Sequence, residues 1–301
     1  MTDPAHERRQ RLTGIALMCG AVVSFACLDC IAKYLGTHMD MLQVVGARYI
    51  SAFALALIFA NPLSHPGLLK TSRPALQIGR SLLLLGSTAF NFMAFRWLQL
   101  DEALAILFST PFLVAIMAGP FLGEWVGWRR WTAITVGFIG VLVVVRPGLG
   151  GMQWAALLSL GSAICYAVYN IATRLLSRTD SSETTLFYSN MLGALIMLPV
   201  LPFVWVPPAS ALDIVLLIAI GGFGAFGHYL LILAHRLAPA SVLSPFIYTQ
   251  LVWATTLGYL VFGDVPHQWT LIGAAIVIGS GLYLLYRERK VTGTVAPIEP
   301  G

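Results

Sequence analysis

The sequence predicts an all-α integral membrane protein: ten transmembrane helices built as two inverted five-helix repeats, with both termini in the cytoplasm. Three observations predict it. The chain of 301 residues is 58% hydrophobic and only 10% charged, with a mean hydropathy of +0.81, whereas soluble domains carry about 25% charged residues. Its apolar residues fall into ten runs, each close to the roughly 20 residues that span a bilayer as helix. The second half of the chain repeats the first.

The runs lie near 13–35, 41–60, 76–98, 102–122, 130–146, 153–175, 183–204, 213–235, 240–262 and 269–286. Residues 1–12 form a cytoplasmic amino terminus, 13–146 the first repeat, 153–287 the second and 288–301 a cytoplasmic tail. No soluble domain fits between the runs, because the longest connection, "NPLSHPGLLKTSRPA", is a loop punctuated by proline. Helix 1 is unusual in carrying Asp29 and Lys33 in "CGAVVSFACLDCIAKYLG". At 1.5 Å per residue Asp29 falls in the outer third of the bilayer, and Lys33 is near the outer surface, where it can snorkel.

The net charge of +5 does not point to nucleic acid, because the cations are spread along loops and form no single patch. They report topology. Arg8, Arg9, Arg11, Lys70, Arg73, Arg129, Arg130, Arg178, Arg236, Arg287, Arg289 and Lys290 fall in alternate loops, against Arg146 alone in the others. The positive-inside rule then places both termini in the cytoplasm. Lys33, Arg48, Arg80, Arg96 and Arg174 lie within or at the ends of helices. "HERRQR" before an apolar run imitates a signal peptide, but no cleavage site and mature soluble domain follow. Cys19, Cys27, Cys30 and Cys165 all fall inside helices, so "CLDC" matches a redox or zinc pattern only by its letters and its cysteines read as packing residues.

Residues 17–35, "LMCGAVVSFACLDCIAKYL", align with 158–176, "LSLGSAICYAVYNIATRLL", pairing Asp29 with Asn170 and Lys33 with Arg174. Further on, Arg96 pairs with Arg236, and Gly123-Glu124 with Gly263-Asp264. Each copy ends on a helix that starts Trp-Thr, "WTAITVGFIGVLVVV" and "WTLIGAAIVIGSGLYLL". Five helices per copy force the second to enter the membrane from the opposite side. Inverted repeats place a substrate site near the midplane between the halves and allow one half to rock against the other.

In these blocks the chain resembles the drug/metabolite transporter superfamily, and within it the EamA-like group of two five-helix repeats. The resemblance covers roughly residues 13–287. Its second block departs from the usual pattern by carrying Asp264 in place of Glu, followed by "VPHQ". The resemblance implies export of amino acids or other small metabolites from a bacterial-type inner membrane, and the chain is similar to the YddG-type exporters of aromatic amino acids.

The candidate substrate-binding residues are the polar and aromatic groups inside helices: Asp29, Asn91, Phe95, Ser109, Tyr166, Asn170, His228, Tyr248 and Trp253. Pro111 and Pro245 are candidate helix breaks that free backbone carbonyls to line a cavity. Asp29 is a candidate for holding a substrate ammonium or a proton; the alternative is an i, i+4 ion pair with Lys33 that lowers the cost of burying both. His228 reads either as cavity lining or as a packing histidine, and Arg48 as a carboxylate anchor or a structural pair. Such a set suits an amino acid, with an acceptor for its ammonium, a donor for its carboxylate and an apolar wall. It suits a cationic drug moved by proton coupling equally well.

Other classes fit less. "GGFGAFG" at 221–227 lacks the Lys-Ser/Thr of a nucleotide loop and follows no strand, so it reads as close helix packing. No H-E-x-x-H pair or G-x-S-x-G elbow supports an intramembrane enzyme, and a single asymmetric chain builds the residue rings of a channel poorly. The expected partners are a small-molecule substrate and the lipid bilayer, without nucleic acid, metal or cofactor, and the chain is expected to act as a monomer.

Overall fold

A computed structural model of the protein describes residues 4–59, 66–122, 128–146, 154–176, 179–238, 243 and 246–292. These residues form helices and turns, with no strand among them. The helices are α1 (Pro4–Leu35), α2 (Met41–Phe59), α3 (Pro74–Ala94), α4 (Leu100–Leu107), α5 (Thr110–Leu122), α6 (Trp128–Val145), α7 (Ala155–Leu176), α8 (Ser182–Met197), α9 (Leu201–Val204), α10 (Ala211–Leu237), α11 (Gln250–Leu257) and α12 (Gln268–Thr292).

Five stretches are long and apolar enough to cross a membrane by length and composition: Arg9–Leu35, Met41–Ile58, Leu100–Met117, Ala155–Leu176 and Ala211–Leu237. The boundaries follow local chemistry. Asp40 caps α2, accepting from the N–H of Leu42 at 2.8 Å. Pro74 opens α3, where a missing N–H costs nothing. Ser181 caps α8, and Ser210 and Asp213 bond each other's backbone N–H to start α10.

Three of the runs are broken. The run 102–122 divides into α4 and α5 at Phe108–Ser109, three residues or fewer before Pro111. Pro111 has no N–H to offer the carbonyl of Leu107, and the Thr110 hydroxyl donates to that carbonyl instead, at 2.6 Å. The run 183–204 stops at Met197 and resumes as the short α9, because Pro199 and Pro202 cannot continue the hydrogen-bond ladder. In the run 240–262, α11 passes into one wider turn at Gly258–Phe262 and ends at Gly263, whose φ of +70° suits glycine. Pro245, the other expected break, lies outside the described residues.

The halves interleave. The most extensive packing joins α1 to α10, α3 to α7, α6 to α12, α2 to α10 and to α8, and α3 to α8, and each of these pairs takes one helix from either copy. Under the internal repeat, α1 with α10 corresponds to α7 with α3, and α2 with α10 to α8 with α3. Among the described residues, the helices of each copy pack more extensively against those of the other copy than against one another.

Contacts between connections fix which helix ends meet. At one end, Lys33 Nζ pairs with Asp264 at 2.5 Å, His38 meets Asp213 at 3.1 Å, Gln43 exchanges two hydrogen bonds with the backbone of Val206, and Trp97 meets Trp154 edge-on at 4.2 Å. Leu35, Phe92, Phe95, Leu98, Leu100 and Met197 pack a large apolar core there. At the other end, Asp180 takes hydrogen bonds from Thr71, the N–H of Ser72 and Gln77, Tyr188 donates to the carbonyl of Leu69, and Arg236 pairs with Glu183 at 2.9 Å. Partial burial alone would raise the Asp180 carboxyl, but these hydrogen bonds hold it below the usual carboxylate range. An apolar cluster of Met18, Val22, Ala234, Ala238 and Leu243 lies at this end as well.

Candidate functional site

An apolar bundle in lipid must gather its polar side chains inside, because each one facing hydrocarbon is costly. Five helices turn such groups inward at one level. Arg48 on α2 is 8% exposed and donates from one terminal nitrogen to the Thr88 hydroxyl at 3.0 Å. Thr88 spends its own hydrogen on the carbonyl of Leu84, so its oxygen accepts from both Arg48 and the Tyr49 hydroxyl at 3.1 Å. The guanidinium also lies over the Tyr49 ring, 4.6 Å from its centre. Its Nε is buried and has no hydrogen-bond partner.

Asp29 on α1 accepts one hydrogen bond, from Gln250 of α11 at 3.4 Å. The ion pair with Lys33 does not form, since Lys33 reaches Asp264 instead and also sits 4.8 Å from the centre of the Phe262 ring. The Arg48 guanidinium is close enough to act electrostatically on Asp29 but makes no ion contact with it within 4 Å. Arg48 also acts on Tyr166 of α7 and His228 of α10, so the four groups share one region. Asp29, Tyr166 and His228 are all only partly buried.

Aromatic rings lie beside these polar groups. Tyr166 stacks on Tyr169 with ring centres 5.4 Å apart and 14° between planes, and His228 meets the Phe25 ring edge-on at 5.0 Å. Asn170 turns its amide nitrogen back to the Tyr166 carbonyl at 2.7 Å, leaving its oxygen outward. Asn91 stands three residues beyond Thr88, on the same side of α3, and its buried oxygen has no partner.

The remaining candidates lie elsewhere. Phe95 stacks on Phe92 at 6.0 Å within the apolar core. Tyr248 packs against Phe108 at 5.0 Å, its hydroxyl lying where a Cβ on Gly281 would stand, which makes it a packing residue between α11 and α12. Trp253 is 42% exposed on the flank of α11 shared with Leu260, away from Ala254 and Gly258. Ser109 is 3% exposed at the α4–α5 break, its hydroxyl without a partner.

Sequence reading passed over Arg80. It is 4% exposed, donates to Thr173 at 2.6 Å, to Ser189 at 2.7 Å, to the Thr185 carbonyl at 3.1 Å and to the Tyr169 hydroxyl at 2.6 Å, and so ties α3 to α7 and α8. The signal was a lone arginine two turns into an apolar run. The glycine run of α10, in contrast, does what was expected of it: a Cβ on Gly221 would stand 2.0 Å from Ser51 Oγ and 2.8 Å from the Arg48 carbonyl, and one on Gly227 would stand 2.8 Å from the Phe25 ring. Cys19, Cys27, Cys30 and Cys165 are free thiols.

Residues 12–146 and 153–287 each match the EamA-like transporter family. The chain belongs to this family. It is similar to an S-adenosylmethionine uptake transporter of Rickettsia conorii, 32% identical over 280 residues that cover 93% of this chain and 94% of that one. It is also similar to a riboflavin transporter of Vibrio cholerae, 28% identical over 93% of this chain and 95% of the other, and to a pseudopaline exporter of Pseudomonas aeruginosa, 23% identical over 88% and 93%. A crystal structure covering 96% of this chain and 99% of its own superposes with a TM-score of 0.61 at 16% identity, which shows a shared fold. This EamA-family chain is a membrane transporter of small molecules and not an enzyme.

Proposed function

We propose that the protein is a ten-span carrier of the bacterial inner membrane, with both termini cytoplasmic, that moves a metabolite bearing an α-amino-acid group and a flat ring. The observation that carries this reading is the set of polar and aromatic side chains held inside apolar helices: oppositely charged Asp29 and Arg48 that form no ion pair with each other, and the Tyr166–Tyr169 and Phe25–His228 ring pairs. S-adenosylmethionine and the aromatic amino acids both have this chemistry. The first is the cargo named for relatives at 30–32% identity, and the second is the expectation from sequence. The Asp180 end holds Lys70, Arg73 and Arg236, and by the positive-inside rule this supports reading it as the inner end.

Alternating access on this reading moves two mixed trios, α1–α2–α10 and α3–α7–α8, against each other. Each trio holds helices of both copies, and the two correspond to one another under the repeat. Net flux runs down the substrate gradient unless Asp29 carries a proton. The test is uptake of labelled S-adenosylmethionine, L-tryptophan and riboflavin into liposomes containing the purified protein, with and without a pH gradient. Saturable uptake of either of the first two supports the reading, and transport of riboflavin or cationic dyes alone overturns it. If the Asp29→Asn variant keeps any pH dependence of the wild type, the proton role of Asp29 is wrong.

A further inference from the structure

Two opposite charges inside a low-dielectric bundle attract strongly and would close into an ion pair if the chain allowed it. Here it does not. Arg48 is held by Thr88 and by the Tyr49 ring, and Asp29 by Gln250 from a third helix. Each keeps unused capacity: Arg48 Nε is buried without a partner, and Asp29 has one long hydrogen bond and no cation within 4 Å. Gly224 of α10 packs beside the guanidinium, where a Cβ would lie 3.1 Å from Leu28 Cδ1 and 3.7 Å from Nε.

We propose that Arg48 and Asp29 together read the two charges of an α-amino-acid head group, the guanidinium holding the carboxylate and the Asp29 carboxylate holding the ammonium, with the substrate ring against Tyr166 and His228. This rests on the carrier reading above and assigns each charge of the head group to a named residue. The substrate supplies the ionic partners that the chain withholds from itself, so binding removes an unfavourable arrangement already present in the empty site. A ligand lacking either charge leaves one protein charge buried and unmatched, and such sites discriminate strongly against analogues with a missing polar group. Arginine suits the task because its planar fork matches a carboxylate with two parallel hydrogen bonds.

The experiment uses the full-length protein in liposomes and whichever of S-adenosylmethionine and L-tryptophan the wild type carries. Competitors lack one charge at a time: decarboxylated S-adenosylmethionine or tryptamine without the carboxylate, and indole-3-lactate without the ammonium. The expected result is that the parent zwitterion competes at least about tenfold better than either analogue, the range of one charge-assisted hydrogen-bond pair. Arg48→Gln is expected to raise KM about tenfold or more, Arg48→Lys by less, and Asp29→Asn to abolish the preference for the ammonium while keeping that for the carboxylate. Should Arg48→Gln fail to fold, the wild-type competition and the Arg48→Lys and Asp29→Asn profiles decide alone.

Equal competition by the charge-deleted analogues, or an unchanged KM in a folded Arg48→Gln protein, overturns this assignment and leaves the carrier reading standing. A wild type that carries neither zwitterion overturns both.

Discussion

Helices α3 and α10 occupy equivalent places in the two copies, yet they are held by opposite means. The α3 helix meets α7 and α8 through Arg80, Gln77 and their partners Tyr169, Thr173, Thr185 and Ser189. The α10 helix meets α1 and α2 through Gly221, Gly224 and Gly227, with no room for a Cβ at Gly221 or Gly227. Glycine contacts gain dispersion energy that nothing else can supply once the helices part. Hydrogen bonds can be handed to water. The α3 contacts are therefore ones that can loosen and re-form, and the α10 contacts ones fixed by close packing.

The largest expected effect is that of Arg80→Met, which leaves the hydroxyls of Tyr169, Thr173 and Ser189 without their donor. Thermal unfolding in detergent should show a loss of about 3 kcal/mol or more, and a cysteine placed at Ser189 should label faster in the variant. If labelling is unchanged, the polar ties do not hold that side shut.

Gly221→Ala comes next. Its methyl group would meet backbone atoms of Ala52 and Arg48 at 2.5 and 2.8 Å, so α2 and α10 must separate. The expected cost is about 1–3 kcal/mol, with a lower transport rate and an unchanged rate of labelling at Ser189. Equal labelling changes in both variants would erase the contrast between the two helices.

The smallest effect belongs to Asp180. Its carboxyl is held below the usual range by hydrogen bonds, so its contribution to stability is complete above about pH 4 and is lost as the pH falls through its lowered value in the folded protein. Asp180→Asn should lower stability at neutral pH and remove this acid-dependent part of the melting curve, because the charged acceptor for Thr71, Ser72 and Gln77 is gone. A wild type and variant that lose stability in parallel on acidification would show that the ties from Thr71 and Gln77 do not sense the charge.

Much of the site was legible because lipid makes polar residues conspicuous. Asp29, Tyr166, Asn170 and His228 stood out in apolar runs, and the structure gathers them. Tyr248 and Trp253 stood out equally, yet one packs against Gly281 and the other faces outward, since residue type does not tell which way a helix is turned. The charge partners were misread for the same reason. An i, i+4 spacing allowed Asp29 to pair with Lys33, but Asp264, 231 positions away in sequence, reaches Lys33 first.

The sequence by itself determined the membrane class, the helical content, the internal repeat and the break at Pro111, because each follows from local hydropathy, periodicity or a missing N–H. Only the tertiary structure decided that the two copies interleave, that Arg80 ties α3 to α7 and α8, and that Arg48 and Asp29 form no ion pair with each other. Those are relations between helices distant in the chain, set by which faces pack.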